Sequence, residues 1–433
     1  VTTRENTLAI YQAAIDAVHP KNILPHYLQA NANSLRIGKK IWQKKEVERL
    51  IVIAIGKAAA AMAQVTEQLL GNTITYGICI TKYHHALPLQ HLIVHEAAHP
   101  LPDEASVQSA ALITQMLEGC SAKDIVLVLL SGGASSLAAD IPYGIALNDY
   151  KKLNELLINS GASINEINTV RREICTLKGG RFLQQASPAF VATLAISDVV
   201  NDDIAVIGSG LTVPSNTSPA DAEKVLQQYA LFESIPSSIK AYLRDRTRLL
   251  PNKNLHNISP SEYYVIANNG VALKAAQQKA FQLGYNAVIF QTQVTGNTEL
   301  VAKRLVQQLR DFRGNRPACF ILGGETTLKV DRPGKGGRCQ HFALAAFNEL
   351  LRFGNPEKDI TIFAAGTDGT DGPTNAAGAI ADKLTRENYT RSSLIINDYL
   401  IHYNSFEFFE KNHSLITVNP TQTNVCDLMM FIL

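Results

Sequence analysis

Residues able to do chemistry gather in four glycine-containing turns. The first is Ile55-Gly56-Lys57-Ala58, between an apolar run and an Ala-rich stretch. A lysine in the first turn of a helix opposes the helix dipole, which favours anions there. It makes sense if an external anion docks on the exposed N–H groups and the lysine helps neutralise it. A lysine snorkelling off a helix end is the competing reading. The second turn, Ser131-Gly132-Gly133-Ala134-Ser135-Ser136, follows the apolar run Ile125–Leu130. Two glycines let backbone approach a ligand and three hydroxyls add donors, which suits a phosphate cradle; a plain tight turn fits the same residues. The third joins Gly323-Gly324-Glu325-Thr326-Thr327 to Gly334-Lys335-Gly336-Gly337-Arg338. Arg332, Lys335 and Arg338 repel one another unless anions lie nearby, and arginine is suited to clamping oxyanions. The fourth, Gly366 to Pro373, carries Asp368 and Asp371; Ser197-Asp198 forms a similar acidic turn. Carboxylates beside a phosphate site suit Mg²⁺, which needs one or two of them plus phosphate and water. Simple Asx-turn chemistry explains them equally well.

Some motifs are excluded. The second turn is neither G-x-x-x-x-G-K-[ST] nor G-x-S-x-G, so neither a Walker loop nor a nucleophile elbow is signalled. The histidines His84, His85, His91, His95 and His99 suggest zinc. His91 and His95 span an expected strand, however, which sets them about 13 Å apart at ~3.3 Å per residue. Zinc ligands must all lie about 2 Å from one ion. The six cysteines form no C-x-x-C pair, several sit in apolar runs, and a reducing, cytoplasmic setting is expected.

The elements that must position these turns follow a rhythm of short apolar run, glycine turn and helical pattern, the signature of βα units. Strands are expected at Leu50–Ile55, Tyr76–Thr81, Leu92–Glu96, Ile125–Leu130 and Phe190–Ile196. Helices are expected at Glu5–Val18, Ala58–Leu70 and Asp103–Glu118. A polar helical stretch from Asp221 to Asn257 separates these from a second series. Its strands are Tyr263–Ala267, Ala287–Gln291, Ala318–Leu322, Thr361–Ala365 and Leu415–Val418, with helices Val271–Leu283, Thr298–Phe312 and His341–Arg352. The implied division is a domain at 1–240 and another at 241–433.

Length and composition agree. A chain of 433 residues is too long for one core, and 46% apolar content is too high for disorder. A formal charge of +2 leaves no basic footprint for nucleic acid. The apolar runs are too short for a membrane span, and Val1 to Ile10 lacks a signal pattern.

Together the motifs resemble one family, the glycerate 2-kinases of the MOFRL type, also labelled hydroxypyruvate reductases. The resemblance rests on Gly56-Lys57-Ala58-Ala59, Glu96 to Asp103, Leu130 to Ser135, Thr176-Leu177-Lys178-Gly179-Gly180-Arg181 and Ser197-Asp198-Val199. It continues through Gly208-Ser209-Gly210 with Pro214, Gly323-Gly324-Glu325-Thr326, Gly336-Gly337-Arg338 and Asp368 to Thr374. It implies two α/β domains. The first would be a Rossmann-like three-layer parallel sheet, and the second would contain the MOFRL region at about 316–430. The active site would lie in the interdomain cleft. It also implies ATP- and Mg²⁺-dependent phosphorylation of D-glycerate, or a related hydroxy acid, on its 2-hydroxyl. The catalytic residues would be Lys57 and Arg338. Expected ATP-binding residues are Ser131, Gly132, Gly133, Ser135, Ser136, Gly323, Gly324 and Lys335; expected Mg²⁺ ligands are Asp198, Glu325 and Asp371. The partner is a small molecule, with no nucleic acid and no membrane; a homodimer stays open.

Three departures stand out. Cys339 replaces a usual Asn, Asn201 a common Gly, and Asn419 and Gln422 the two glycines of the closing T-G-P-T-G-T-N. Two other functions stay open at this point. A NAD(P)H-dependent reductase should carry G-x-G-x-x-G after an early strand, which Ile55 to Ala60 lacks. A non-catalytic sugar-acid binder would bind without turnover.

Overall fold

The computed structural model describes residues 2–249, 257–332, 334–353 and 360–433; residues 250–256 of the polar stretch lie outside the described residues. The chain forms two compact units. One is Ile23–Ile266, and the other joins Val1–Asn22 to Ala267–Leu433.

The first unit opens with an antiparallel meander of β1 (Leu28–Ala30), β2 (Ser34–Ile37) and β3 (Lys40–Gln43). These strands escape the sequence pattern because three or four residues carry too little alternation to register. The main sheet follows: β4 (Leu50–Ile55), β5 (Tyr76–Lys82), β6 (Leu92–Ala97), β7 (Ile125–Leu130), β8 (Phe190–Ile196) and β9 (Ser261–Ala267). Its order is β6-β5-β4-β7-β8-β9, and β6 through β8 are parallel. Every residue of β4, β7 and β8 is buried, as expected of strands covered on both faces. Ile51, Ile53 and Ile55 share a core with Ile113 and Leu117 of the helix Glu104–Leu117. Counted from β4, this is the doubly wound order 3-2-1-4-5-6, whose direction reverses between β4 and β7.

The expected division at 240/241 does not coincide with these units. The polar stretch supplies helices Pro219–Gln228 and Ser237–Leu249, which share an apolar cluster with Leu147–Asn159 and Ile164–Glu173. Each buries one stripe and leaves the rest polar, so low mean hydropathy here marks a helical layer and not a linker. Strand β9, expected in the second series, completes the first sheet. Deeper in this unit, buried Lys178 is paired with buried Asp140, whose other oxygen accepts the N–H groups of Leu177 and Lys178 at 2.6 and 3.1 Å. Lys178→Met is expected to cost about 3–5 kcal/mol, because it strands the buried carboxylate. Denaturant unfolding checks this; a loss below about 1 kcal/mol contradicts it.

The second unit holds β10 (Asn286–Val294), β11 (Ala318–Gly324), β12 (Thr361–Gly366), β13 (Gly378–Ala381), β14 (Leu415–Ile416) and β15 (Asp427–Ile432), in the order β10-β11-β15-β12-β13-β14. Among the described strands of this sheet only the β10–β11 pairing is parallel; the others are antiparallel. The expected second βα series is therefore corrected to a mixed sheet. The expected strands missed β13, whose Gly-Ala-Ile-Ala lacks a β-branched run, and β15, an apolar run beyond the closing motif.

The opening helix, Thr3–Val18, belongs to this second unit. Tyr11 donates its hydroxyl hydrogen to Gly366 O at 2.7 Å, and Arg4 grips Asp382 at 2.6 and 2.9 Å. No local pattern announces contacts separated by more than 350 residues.

Candidate active site

In the first unit, the turns after β4 and β7 meet at the point where the strand order reverses. Lys57 donates its backbone N–H to Gly132 O at 2.9 Å, and Ala58 donates to Ser131 Oγ at 3.1 Å. Gly56 has φ +134°, and a Cβ there would collide with Ser131. The helix Ala59–Leu70 has Ala58 as its N-cap, so Lys57 lies in the turn just before the helix and not in its first turn. Gly133 is left-handed, with φ +84°, and an added Cβ would stand 2.8 Å from the His99 ring. His99 thus covers the turn. The sequence motif contained it, but nothing in its spacing assigned it a place.

The three hydroxyls behave differently from a simple cradle. Ser131 caps Ala58 as above. Ser135 shares a hydrogen with Ser209 at 2.8 Å, and Ser136 donates to Gly133 O at 3.1 Å. Each hydroxyl therefore holds the turn in shape. Asp198 follows β8 in the same sheet and is half-buried.

In the second unit the other candidates gather at the start of the helix Arg338–Arg352. Arg338 is its first residue, after the uncapped Gly337. Its Nε and Nη2 donate to Asp427 Oδ2 and Oδ1 at 2.6 and 2.9 Å, and its Nη1 lies 2.7 Å from Glu325 Oε1. Burial alone would lower the Arg338 pKa, but the Asp427 carboxylate outweighs it and holds it above its ordinary value. Asp371 caps the helix: its oxygens accept the N–H groups of Cys339 at 3.0 Å and Gln340 at 2.8 Å. Asp427, which holds Arg338, is the member of this cluster that the motifs missed. Its only signal was an acidic residue opening an apolar run.

This arrangement corrects the electrostatic reasoning from sequence. The cation at a helix start needs an anion, and the fold supplies Asp427 and Glu325, with Asp371 on the N–H groups. Lys335 lies over the Phe406 ring at 3.8 Å, and Arg332 is 3.8 Å from Asp331. Gly323 and Gly324 end β11, where Cβ atoms would overlap the Asn269 side chain and the Val294 backbone. Close packing explains those two glycines. The Cys339 thiol is pushed far up by burial, so it is a neutral group and not a nucleophile. Two of the three substituted glycine positions keep glycine-like backbone, Asn201 at φ +76° and Gln422 at φ +59°, whereas Asn419 is not among the positive-φ residues.

Among the described residues no three His, Cys, Asp or Glu side chains are grouped to hold a metal. Mg²⁺ needs only one or two protein carboxylates beside phosphate and water. Asp371, with both oxygens engaged, is poorly disposed as a ligand. Glu325, whose side chain is 41% exposed, fits better.

Burial pushes the Asp371 carboxyl up to about 7 against the pull of its two N–H donors. The folded state then holds a proton that the unfolded state releases near pH 4. Stability from this group is greatest below about pH 4 and is lost as pH rises to about 7. The thermal midpoint of wild type should therefore fall relative to that of Asp371→Asn as pH rises across that window. A wild-type midpoint that rises relative to the variant's contradicts the assignment.

Two family descriptions match the chain: "Domain of unknown function (DUF4147)" over residues 6–244 and "MOFRL family" over residues 318–427. A D-glycerate 2-kinase of Thermotoga maritima is 35% identical over 401 residues, covering 91% of this chain and 93% of that protein. A glycerate 2-kinase of Pyrococcus horikoshii is 35% identical over 440 residues, covering 99% of this chain and 97% of that one. A crystal structure of glycerate kinase from Thermotoga maritima superposes with a TM-score of 0.83 at 33% identity, covering 99% of both chains.

Proposed function

Because the chain belongs to the glycerate 2-kinase family that joins a DUF4147 region to a MOFRL region, we propose that it transfers the γ-phosphoryl group of ATP to the 2-hydroxyl of D-glycerate, with Lys57 and Arg338 as its catalytic residues. One observation in the fold supports this reading of Lys57. Its turn is hydrogen-bonded to the Gly132 turn where the doubly wound sheet reverses direction, the position at which such sheets take ligands.

Phosphoryl transfer asks mainly for positioning and charge stabilisation. Lys57 supplies a positive charge beside a glycine turn whose backbone can approach phosphate closely. Arg338 supplies a planar donor fork suited to a carboxylate or a phosphoryl group. Lys57 is built by the first compact unit and Arg338 by the second. Glu325 is the better Mg²⁺ candidate of the second unit, and Asp198 is the acidic candidate of the first. When bound, Mg²⁺ neutralises phosphate charge as it develops. A fold alone does not fix a substrate, so the reading is tested on the reaction itself.

Release of ADP from ATP should require both D-glycerate and Mg²⁺ and should stop on chelation. Oxidation of NADH by hydroxypyruvate should not occur. Clear NADH turnover without ADP release would replace this reading with the reductase.

A further inference from the structure

Two carboxylates hold Arg338, and their surroundings differ. Asp427 is 1% exposed, whereas the Glu325 side chain is 41% exposed. Asp427 opens β15, the strand between β11 and β12, and stands in register with Gly324 on one side and Gly366 on the other. Direct cross-strand neighbours share a face, so neither neighbour brings a side chain into the space the guanidinium uses.

The backbone beneath is pinned. Asn269 Nδ2 donates to the carbonyls of Val425 and Asp427 at 2.8 and 3.1 Å. Thr367 Oγ1 donates to Cys426 O at 2.6 Å and accepts from Val425 N–H at 2.8 Å. A bidentate carboxylate on such a base sets both the direction and the roll of the guanidinium plane.

We propose that Asp427 is a positioning residue for phosphoryl transfer, which fixes Arg338 through Nε and Nη2 and leaves Nη1, now on the exposed Glu325, as the edge that an anionic substrate group takes. Asp427 does not touch substrate. It acts through Arg338, and Glu325 is the partner that exchanges. This inference rests on the catalytic reading of Arg338 given above.

A double-mutant cycle tests it. Asp427→Asn keeps the shape, loses the charge and one acceptor, and is expected to lower kcat about 10- to 100-fold, the scale of a misplaced catalytic group. KM for ATP should stay within about twofold, since Asp427 acts on the transfer step through Arg338 and touches no substrate. In an Arg338→Ala background the same substitution should cost nothing further, because its only route of action is gone. An Asp427 that acts independently of Arg338 would lose activity equally in both backgrounds, and that result overturns the proposal. Wild-type kcat in Asp427→Asn beside an inactive Arg338→Ala also overturns it and leaves the catalytic reading intact. An active Arg338→Ala instead defeats the catalytic reading itself. Should Asp427→Asn fail to fold, Asp427→Glu keeps the charge and shifts it by one methylene. A loss of kcat of about tenfold or more is then expected, and unchanged turnover overturns the proposal.

Discussion

Turnover of Lys57→Ala and of Arg338→Ala is expected to fall by about three to five orders of magnitude, the range seen when a cation that stabilises phosphoryl transfer is removed. In that transition state negative charge spreads over the phosphoryl oxygens, and the protein does little covalent chemistry of its own. Preorganised positive charge is then the main stabilisation it can offer. Lys57 is placed by the hydrogen-bonded turns after β4 and β7. Arg338 is placed by its two-point clamp on Asp427. If the two act on one transferring group, the double variant should be little worse than the poorer single variant, as with catalytic groups that work as a unit. Folded single variants with kcat within about tenfold of wild type would contradict this.

Gly56→Ala is expected to carry the second-largest effect, a loss of about 100-fold in kcat/KM together with a lower thermal midpoint. With φ at +134° the position disfavours any side chain, and the new methyl would collide with the hydroxyl and the backbone carbonyl of Ser131. A hydroxyl can rotate away; a carbonyl in the chain cannot. The turn after β4 must therefore move off the turn after β7, taking Lys57 with it. Gly71→Ala is the control. Its φ is also positive, at +48°, but nothing lies within 4 Å of the added carbon. It should show backbone strain with activity retained. Equal loss in both variants would mean that general strain, and not the contact with Ser131, is responsible.

The parallel sheet was legible because β4 and β7 are continuous apolar runs ended by glycine turns and β8 is an apolar run broken only by Thr193, and their bounds match the sequence pattern. The turn residues beside them were legible for the same reason. Pairing over distance was not. Asp427 and Arg338 lie 89 positions apart, and nothing in either neighbourhood marks the other as its partner. The direction of the strands around β15 was equally hidden, since periodicity is the same for parallel and antiparallel strands. Lys57 and Arg338 both stand out in the sequence against the helix dipole, and for Arg338 the anion is internal. The Ser131–Ser136 hydroxyls show the converse. Residues that look like donors to a ligand are occupied in shaping the turn that meets it.

Phosphorylation can occur on either hydroxyl of D-glycerate, so the most direct test is the identity of the product. The protein is incubated with ATP, Mg²⁺ and D-glycerate, and the phosphoglycerate formed is resolved by isomer. The expected product is 2-phosphoglycerate, formed in equal amount with ADP and lost in Lys57→Ala and Arg338→Ala. Formation of 3-phosphoglycerate, or of no phosphorylated product by a folded protein, would contradict it.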